Sequence, residues 1–183
     1  MKILIILVIC GLIDVTRSSE CIVSPNNINL ALFGRVCQSS TFASVPRCGA
    51  DRGVDGISET DNKISPCVIT KLESQPWFTL DMEEGYLVGL VRIVLRTDDC
   101  WDCMNGVQLQ IGDSPDRDNP VCATITEVSR EKPLLTFFCN GMQGRYVTLI
   151  HAGHSGIISF CEIKVYQHLP GEQLSQGIPV QES

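Results

Sequence analysis

Nine cysteines, Cys21 through Cys161, follow an apolar leader that carries a tenth, Cys10. Thiols at that density in an oxidising compartment form a framework of disulfides, so the fold must be one that close staples can hold. The leader itself argues for that compartment. Ile3 to Leu12 is an apolar run behind Lys2, and Asp14, Thr16, Arg17 and Ser18 follow it. This is the layout of a signal peptide over residues 1–18, with cleavage near Ser18. The run is too short to cross a bilayer, and no later stretch approaches about 18 apolar residues. The expected mature protein is secreted, extracellular and without a membrane span. Its cysteine count is odd. Cys21, in the segment 19–27, is the expected orphan, which either links a second chain into a homo-oligomer or is capped or paired within its own chain.

The remaining pattern is one of strands. In Trp77-Phe78-Thr79-Leu80-Asp81-Met82, the apolar Phe78, Leu80 and Met82 share a side. Val107, Leu109 and Ile111 alternate with polar neighbours, and so do Cys161, Ile163 and Val165 against Glu162, Lys164 and Tyr166. A period of two with turn residues between the runs marks half-buried antiparallel strands. Leu87 to Leu95 is nearly continuous in apolar residues, as a strand covered on both faces would be. No stripe of helical period and length occurs. Many short strands joined by turns imply an all-β sandwich or jelly roll. The residues 169–183 are rich in Gln, Gly, Ser and Pro and are expected to be a disordered tail.

Charge excludes more than it identifies. The chain carries −7, and without the leader 12 basic and 20 acidic residues remain. An acidic chain without a basic stripe is a poor binder of nucleic acid or anionic membrane. No Gly-rich phosphate loop and no nucleophile placed beside a base suggests catalysis, so no enzyme is expected. His151 and His154 have metal-like spacing but no carboxylate cluster nearby, and read as two solvent-facing loop histidines.

A set of fragments carries a resemblance: Asn29-Leu30-Ala31-Leu32, Gln38-Ser39-Ser40, Gly53-Val54-Asp55-Gly56, Pro76-Trp77-Phe78 and Arg96-Thr97-Asp98. It continues through Gly106, Gln110-Ile111-Gly112, Asn119-Pro120-Val121-Cys122, Gly144-Arg145-Tyr146-Val147 and Cys161-Glu162-Ile163. In this order the residues 28–168 resemble an F-type lectin, or fucolectin, domain. The resemblance implies a discoidin-like (F5/8 type C-like) β jelly roll, a ligand among fucose-containing glycans, a structural calcium ion, and a role in defence against microbes or in cell recognition. It also implies the pairings Cys67–Cys161 and Cys122–Cys139, each worth roughly 2–4 kcal/mol. Two further pairings, Cys37–Cys48 and Cys100–Cys103, are inferred, and the pairing of Cys21, Cys37 and Cys48 stays open.

The sugar-binding motif departs from the family pattern of a His, then Arg-x-Asp, then a second basic residue. Arg96 and Asp98 are present, but the His position is Ile69 and the second basic position is Cys103. Neither an Ile nor a disulfide sulfur donates a hydrogen bond. Each lost charge-assisted bond costs about 1.5–3 kcal/mol, so the standard fucose contacts are not expected to function. The family's adjacent cysteines are also altered, to Asp98-Asp99-Cys100-Trp101-Asp102-Cys103. Trp101 on that loop is a candidate to stack on a sugar or anchor a protein partner, or else a cover for the end of the barrel. The expected binding residues are Arg96, Asp98 and Trp101. Two readings stay open: a lectin with an altered pocket, and a scaffold that has lost sugar binding and acts through protein contacts.

For calcium, the resemblance implies side-chain oxygens from Asp55 and Glu162 and carbonyls from Arg52, Ile57, Pro66 and Cys161. Calcium takes six to eight oxygens, largely carboxylate and carbonyl. Pro66 offers only its carbonyl where the family has a Ser. Asp55-Gly56 alone would otherwise read as a turn.

Overall fold

The computed structural model describes residues 28–42 and 49–169. The expected leader 1–18, the segment 19–27 with Cys21, Cys48, and the tail beyond Leu169 lie outside the described residues. Among the described residues ten strands form: β1 (Arg35–Gln38), β2 (Val68–Ile69), β3 (Glu73–Ser74), β4 (Trp77–Val94) and β5 (Gln108–Gly112), then β6 (Val121–Thr124), β7 (Leu134–Ile150), β8 (Ser155–Gly156), β9 (Ser159–Phe160) and β10 (Glu162–Gln167). Two 3₁₀ turns, Leu30–Phe33 and Ala50–Gly53, are the only helical elements among the described residues. The fold is the all-β jelly roll of discoidin type. Its main sheet runs β1-β4-β7-β5-β6 with β10 on the far part of β4, while β2 pairs β9 and β3 pairs β8.

Two long strands build both layers. β4 has 18 residues and β7 has 17. The first part of β4 pairs with β1 on one side and the end of β7 on the other. Its second part pairs with β10 and the beginning of β7. Between the parts the register shifts, from Asp81 to Tyr86 and again from Val88 to Leu90. Glu83 (φ 66°) and Asn140 (φ 51°) take left-handed conformations at these bends, and Asp81 Oδ1 accepts the Glu83 amide at 2.8 Å. Irregularities of this kind let one strand turn a corner and serve two layers.

The alternation in the sequence survives this bending. Phe78, Leu80 and Met82 are buried, as are Val107, Leu109 and Ile111 and, on β10, Ile163 and Val165. Phe78 and Phe160 meet edge to face at 4.9 Å in the centre of this core. Gly53 shows how tightly the second 3₁₀ turn presses on it: a Cβ there would lie 2.8 Å from the Phe160 ring and 2.9 Å from Val68. The run Leu87–Leu95 is not covered on both faces throughout, since Arg92 is exposed and Leu87 and Leu90 are half-buried. The shift at Val88/Leu90 moves the inward phase from Val88 to Val91, and this phase change makes the run read as continuous. Only Val94 is buried on the opposite side, against Cys67 and Cys161.

Among the described residues three disulfides are formed: Cys67–Cys161, Cys100–Cys103 and Cys122–Cys139. Cys48, the inferred partner of Cys37, lies outside the described residues, and Cys37 carries a free and exposed thiol. The period of β1 explains its position, with Val36 turned to the core and Cys37 to the outer face.

Candidate functional site

β2 and β9 form a short ribbon beside the end of β4, and this placement builds a cavity of about 430 Å³. Phe42, Asn62, Lys63, Ile69, Arg96, Asp98, Asp99, Cys100 and Ile157 line it. Arg96, just past β4, lies in its wall with 6 % exposure. Its Nε and Nη2 donate to Asp98 Oδ1 and Oδ2 at 2.9 and 2.8 Å, and Nη1 donates to Ser159 Oγ at 3.4 Å. Burial pushes the Asp98 carboxyl upward, but the Arg96 hydrogen bond and the surrounding amides outweigh it and hold the group below its ordinary value. A bidentate fork of this kind fixes both the charge and the plane of a guanidinium.

Ile69 is 7 % exposed and meets the cavity with an apolar face, backed by Ile157. Cys103 is bonded to Cys100. Neither supplies a donor where the family pattern has one. Trp101 lies away from the cavity lining, half-buried, with the Arg130 guanidinium 5.5 Å from its ring centre. The structure therefore brings Arg96 and Asp98 together and leaves Trp101 apart from them.

The expectation of two solvent-facing histidines is corrected for His151. It is 7 % exposed, and its Nε2 lies 3.0 Å from the carbonyl of Cys103. A Cβ on Gly156 would meet its ring at 2.7 Å, so the absence of a side chain there gives the imidazole its room. His154 is exposed.

Lys63, Asn62 and Phe42 were not singled out by the sequence. Asn62-Lys63-Ile64 forms a turn. It reaches the site because Thr97 donates its amide to Thr60 O at 2.9 Å, and because Asn62 Oδ1 accepts the Cys67 amide at 2.8 Å. Both partners are distant or disulfide-placed, and no local pattern announces them.

A second arrangement sits under the turn after Gly53. Glu162, at the start of β10, is fully buried, and its Oε2 accepts the Gly56 amide at 3.3 Å. Oε1 is buried without a hydrogen-bond partner. Burial first, and the neighbouring Asp55 charge second, raise the Glu162 carboxyl to about 7. Asp55 Oδ1 accepts the Ile57 amide at 3.0 Å, and its Oδ2 lies 3.7 Å from Arg52 Nη1. Two carboxylates that oppose each other's ionisation, one with an orphaned buried oxygen, suit a bound hard cation. The disulfide Cys67–Cys161 ties Pro66 and Cys161 into the same region. With only two carboxylates, the site forms no cluster of three or more His, Cys, Asp or Glu among the described residues. Its remaining ligands would be backbone carbonyls.

Comparison with known proteins gives the family. The model of the NedA-like, galactose-binding domain matches residues 52–149. A pentraxin fusion protein of Xenopus laevis is 29 % identical over 141 residues, covering 75 % of this chain and 33 % of that protein. Fucolectin-1 of Anguilla japonica is 28 % identical over 148 residues, covering 78 % of this chain and 82 % of the fucolectin. The crystal structure of a fucolectin from Morone saxatilis (striped bass) serum superposes with a TM-score of 0.71 at 33 % identity, over 78 % of this chain and 48 % of that one. The chain thus spans about a third of the first relative and about half of the superposed structure.

Proposed function

Because the chain belongs to the F5/F8 type C family of NedA-like, galactose-binding domains and is related to the fucolectins, we propose that it is a secreted glycan-binding domain that catalyses no reaction. One observation carries this reading: a buried arginine, locked by its aspartate, faces a cavity of about 430 Å³ with an apolar wall of Ile69 and Ile157. A sugar ring needs directional donors for its oxygens and an apolar surface for its C–H face, and both are present. Arg96 supplies the donors, Asp98 orients Arg96, and Phe42 and Lys63 stand at the wall as further contacts. Trp101 belongs to a neighbouring surface rather than to the pocket.

The cation site is proposed for calcium, held by the side chains of Asp55 and Glu162 with carbonyls of Arg52, Ile57, Pro66 and Cys161. The orphaned Glu162 oxygen supports it. Calcium there would neutralise the buried charge and fix the loop after Gly53. Its role is structural.

Secretion rests on the leader, and a homo-oligomer linked through Cys21 rests on the cysteines left outside the three disulfides, Cys21, Cys37 and Cys48; among the described residues no helix is long and apolar enough to cross a membrane. A second reading, a scaffold acting through protein contacts, is favoured by Ile69 and Cys103, which remove two donors from the pocket. A glycan array probed with the purified mature protein, with and without calcium, separates the two. Binding of fucosylated glycans that is lost in Arg96→Ala supports the lectin. No binding by a folded protein transfers the function to the scaffold.

A further inference from the structure

Arg92 on β4 and Lys164 on β10 are direct register partners. Directly opposed residues of an antiparallel pair lie on one face with Cβ atoms about 4.5–5.5 Å apart, and like charges there destabilise the pairing. Neither side chain makes an ion pair among the described residues. Glu162, two residues before Lys164 on β10, is buried and accepts the Gly56 amide; the Lys164 charge favours its ionised form, but less than burial and Asp55 oppose it. The two cations open into a cavity of about 250 Å³ whose lining holds the hydroxyl residues Ser58 and Thr60, the apolar Val94 and Leu134, and no carboxylate.

The geometry points to this cavity as a second binding site, separate from the one at Arg96, that takes an oxyanion (a sulfate ester or a carboxylate) carried on a glycan. Arginine offers a planar fork to such a group and lysine a point charge, while the Ser58 hydroxyl supplies a further donor and the Thr60 hydroxyl is held by Thr97 Oγ1 at 3.0 Å. A bound oxyanion between them turns the repulsion of Arg92 and Lys164 into two attractions. Val94 and Leu134 give the carrier an apolar surface. The loop 58–63 joins the two cavities: Ser58 and Thr60 line this one, and Asn62 and Lys63 line the one at Arg96. Arg96 lies four positions after Arg92, just past the end of β4, roughly 13 Å along an extended backbone, so one oligosaccharide can reach both. The anion site stands on the register and the cavity; the choice of a glycan as carrier rests on the reading proposed above.

The test is calorimetric titration of the full mature protein with a heparin-derived hexasaccharide, a hyaluronan hexasaccharide that carries carboxylates only, and neutral maltohexaose. At least one acidic oligosaccharide is expected to bind more tightly than maltohexaose, to weaken with added salt, and to lose at least tenfold in affinity in Arg92→Gln/Lys164→Gln. The comparison of the two acidic probes tells which oxyanion is taken. The double variant should melt no lower than the wild type, since it removes a repulsion, and should keep any binding of neutral fucosylated glycans at the Arg96 cavity. Affinity unchanged by the double variant, or acidic probes binding no better than maltohexaose, overturns the proposal. Failure of fucosylated glycans to bind alone overturns only the function proposed for the Arg96 cavity.

Discussion

Arg96 and Asp98 are joined by two parallel hydrogen bonds of 2.9 and 2.8 Å, with the guanidinium 6 % exposed. Breaking such a buried pair from one side leaves an uncompensated charge, typically at about 3–5 kcal/mol. Asp98→Ala is therefore expected to lower the unfolding free energy by about 3 kcal/mol in a urea titration, and Arg96→Met/Asp98→Ala to recover a large share of it. A single variant as stable as the wild type would show that the pair carries no structural weight.

Ile69 occupies the wall of the Arg96 cavity at 7 % exposure. Ile69→His places a donor there and is expected to raise affinity for fucosylated glycans at least tenfold, at a stability cost of about 1–3 kcal/mol for the buried polar ring. Unchanged or weaker binding by a folded variant, measured by surface plasmon resonance, counts against a sugar site at this position.

Calcium should stabilise the domain through Asp55 and Glu162. At a calcium concentration a hundredfold above Kd, linkage gives about 2.7 kcal/mol, visible as a rise in Tm over the EDTA-treated protein. Glu162→Gln should abolish most of that rise. Equal midpoints for wild type in calcium and in EDTA would remove calcium from the account.

Acid stability depends on the outer face of β4. Arg145 holds Asp81 by two hydrogen bonds of 2.6 and 2.7 Å, and this keeps the Asp81 carboxyl below its ordinary 3.8. A carboxyl depressed in the folded state contributes stability that is fully present above 3.8 and is lost as pH falls through its folded value. Urea midpoints between pH 5 and pH 2 should therefore fall more steeply for wild type than for Asp81→Asn. Parallel curves would show that the pair makes no net contribution.

Cys37 faces solvent on β1 with a free thiol. Native protein treated with a maleimide should gain label at Cys37, located by peptide mapping, while Cys67, Cys100, Cys103, Cys122, Cys139 and Cys161 stay unlabelled until reduction. Failure of Cys37 to react in the unreduced protein would return it to the disulfide framework.

The strands were legible because their signal is local. Phe78, Leu80 and Met82, like Val107, Leu109 and Ile111, declare an inward face by period two alone. The corner in β4 was not, since a shift of one residue between Val88 and Leu90 swaps the inward phase without changing the apolar character of the run. Arg96 and Asp98 are two positions apart, and their fork could be anticipated from that spacing. Lys63 and Phe42 could not, because a hydrogen bond from Thr97 to Thr60 and another from Phe42 to Ile69 bring them in from distant segments. His151 misled for the same reason: its burial depends on the Cys103 carbonyl and on the space left by Gly156.

The bond between Cys67 and Cys161 closes a separation of 94 residues and sits between two sites. On one side it continues into Ile69 and on the other into Glu162, with Ser159 just before it. Thiol chemistry is therefore linked to the geometry of both candidate sites. A reductant strong enough to open that one bond slackens the wall of the cavity and the anchorage of the buried carboxylate together. The domain should then lose both capacities in a single step, wherever its surroundings cease to be oxidising.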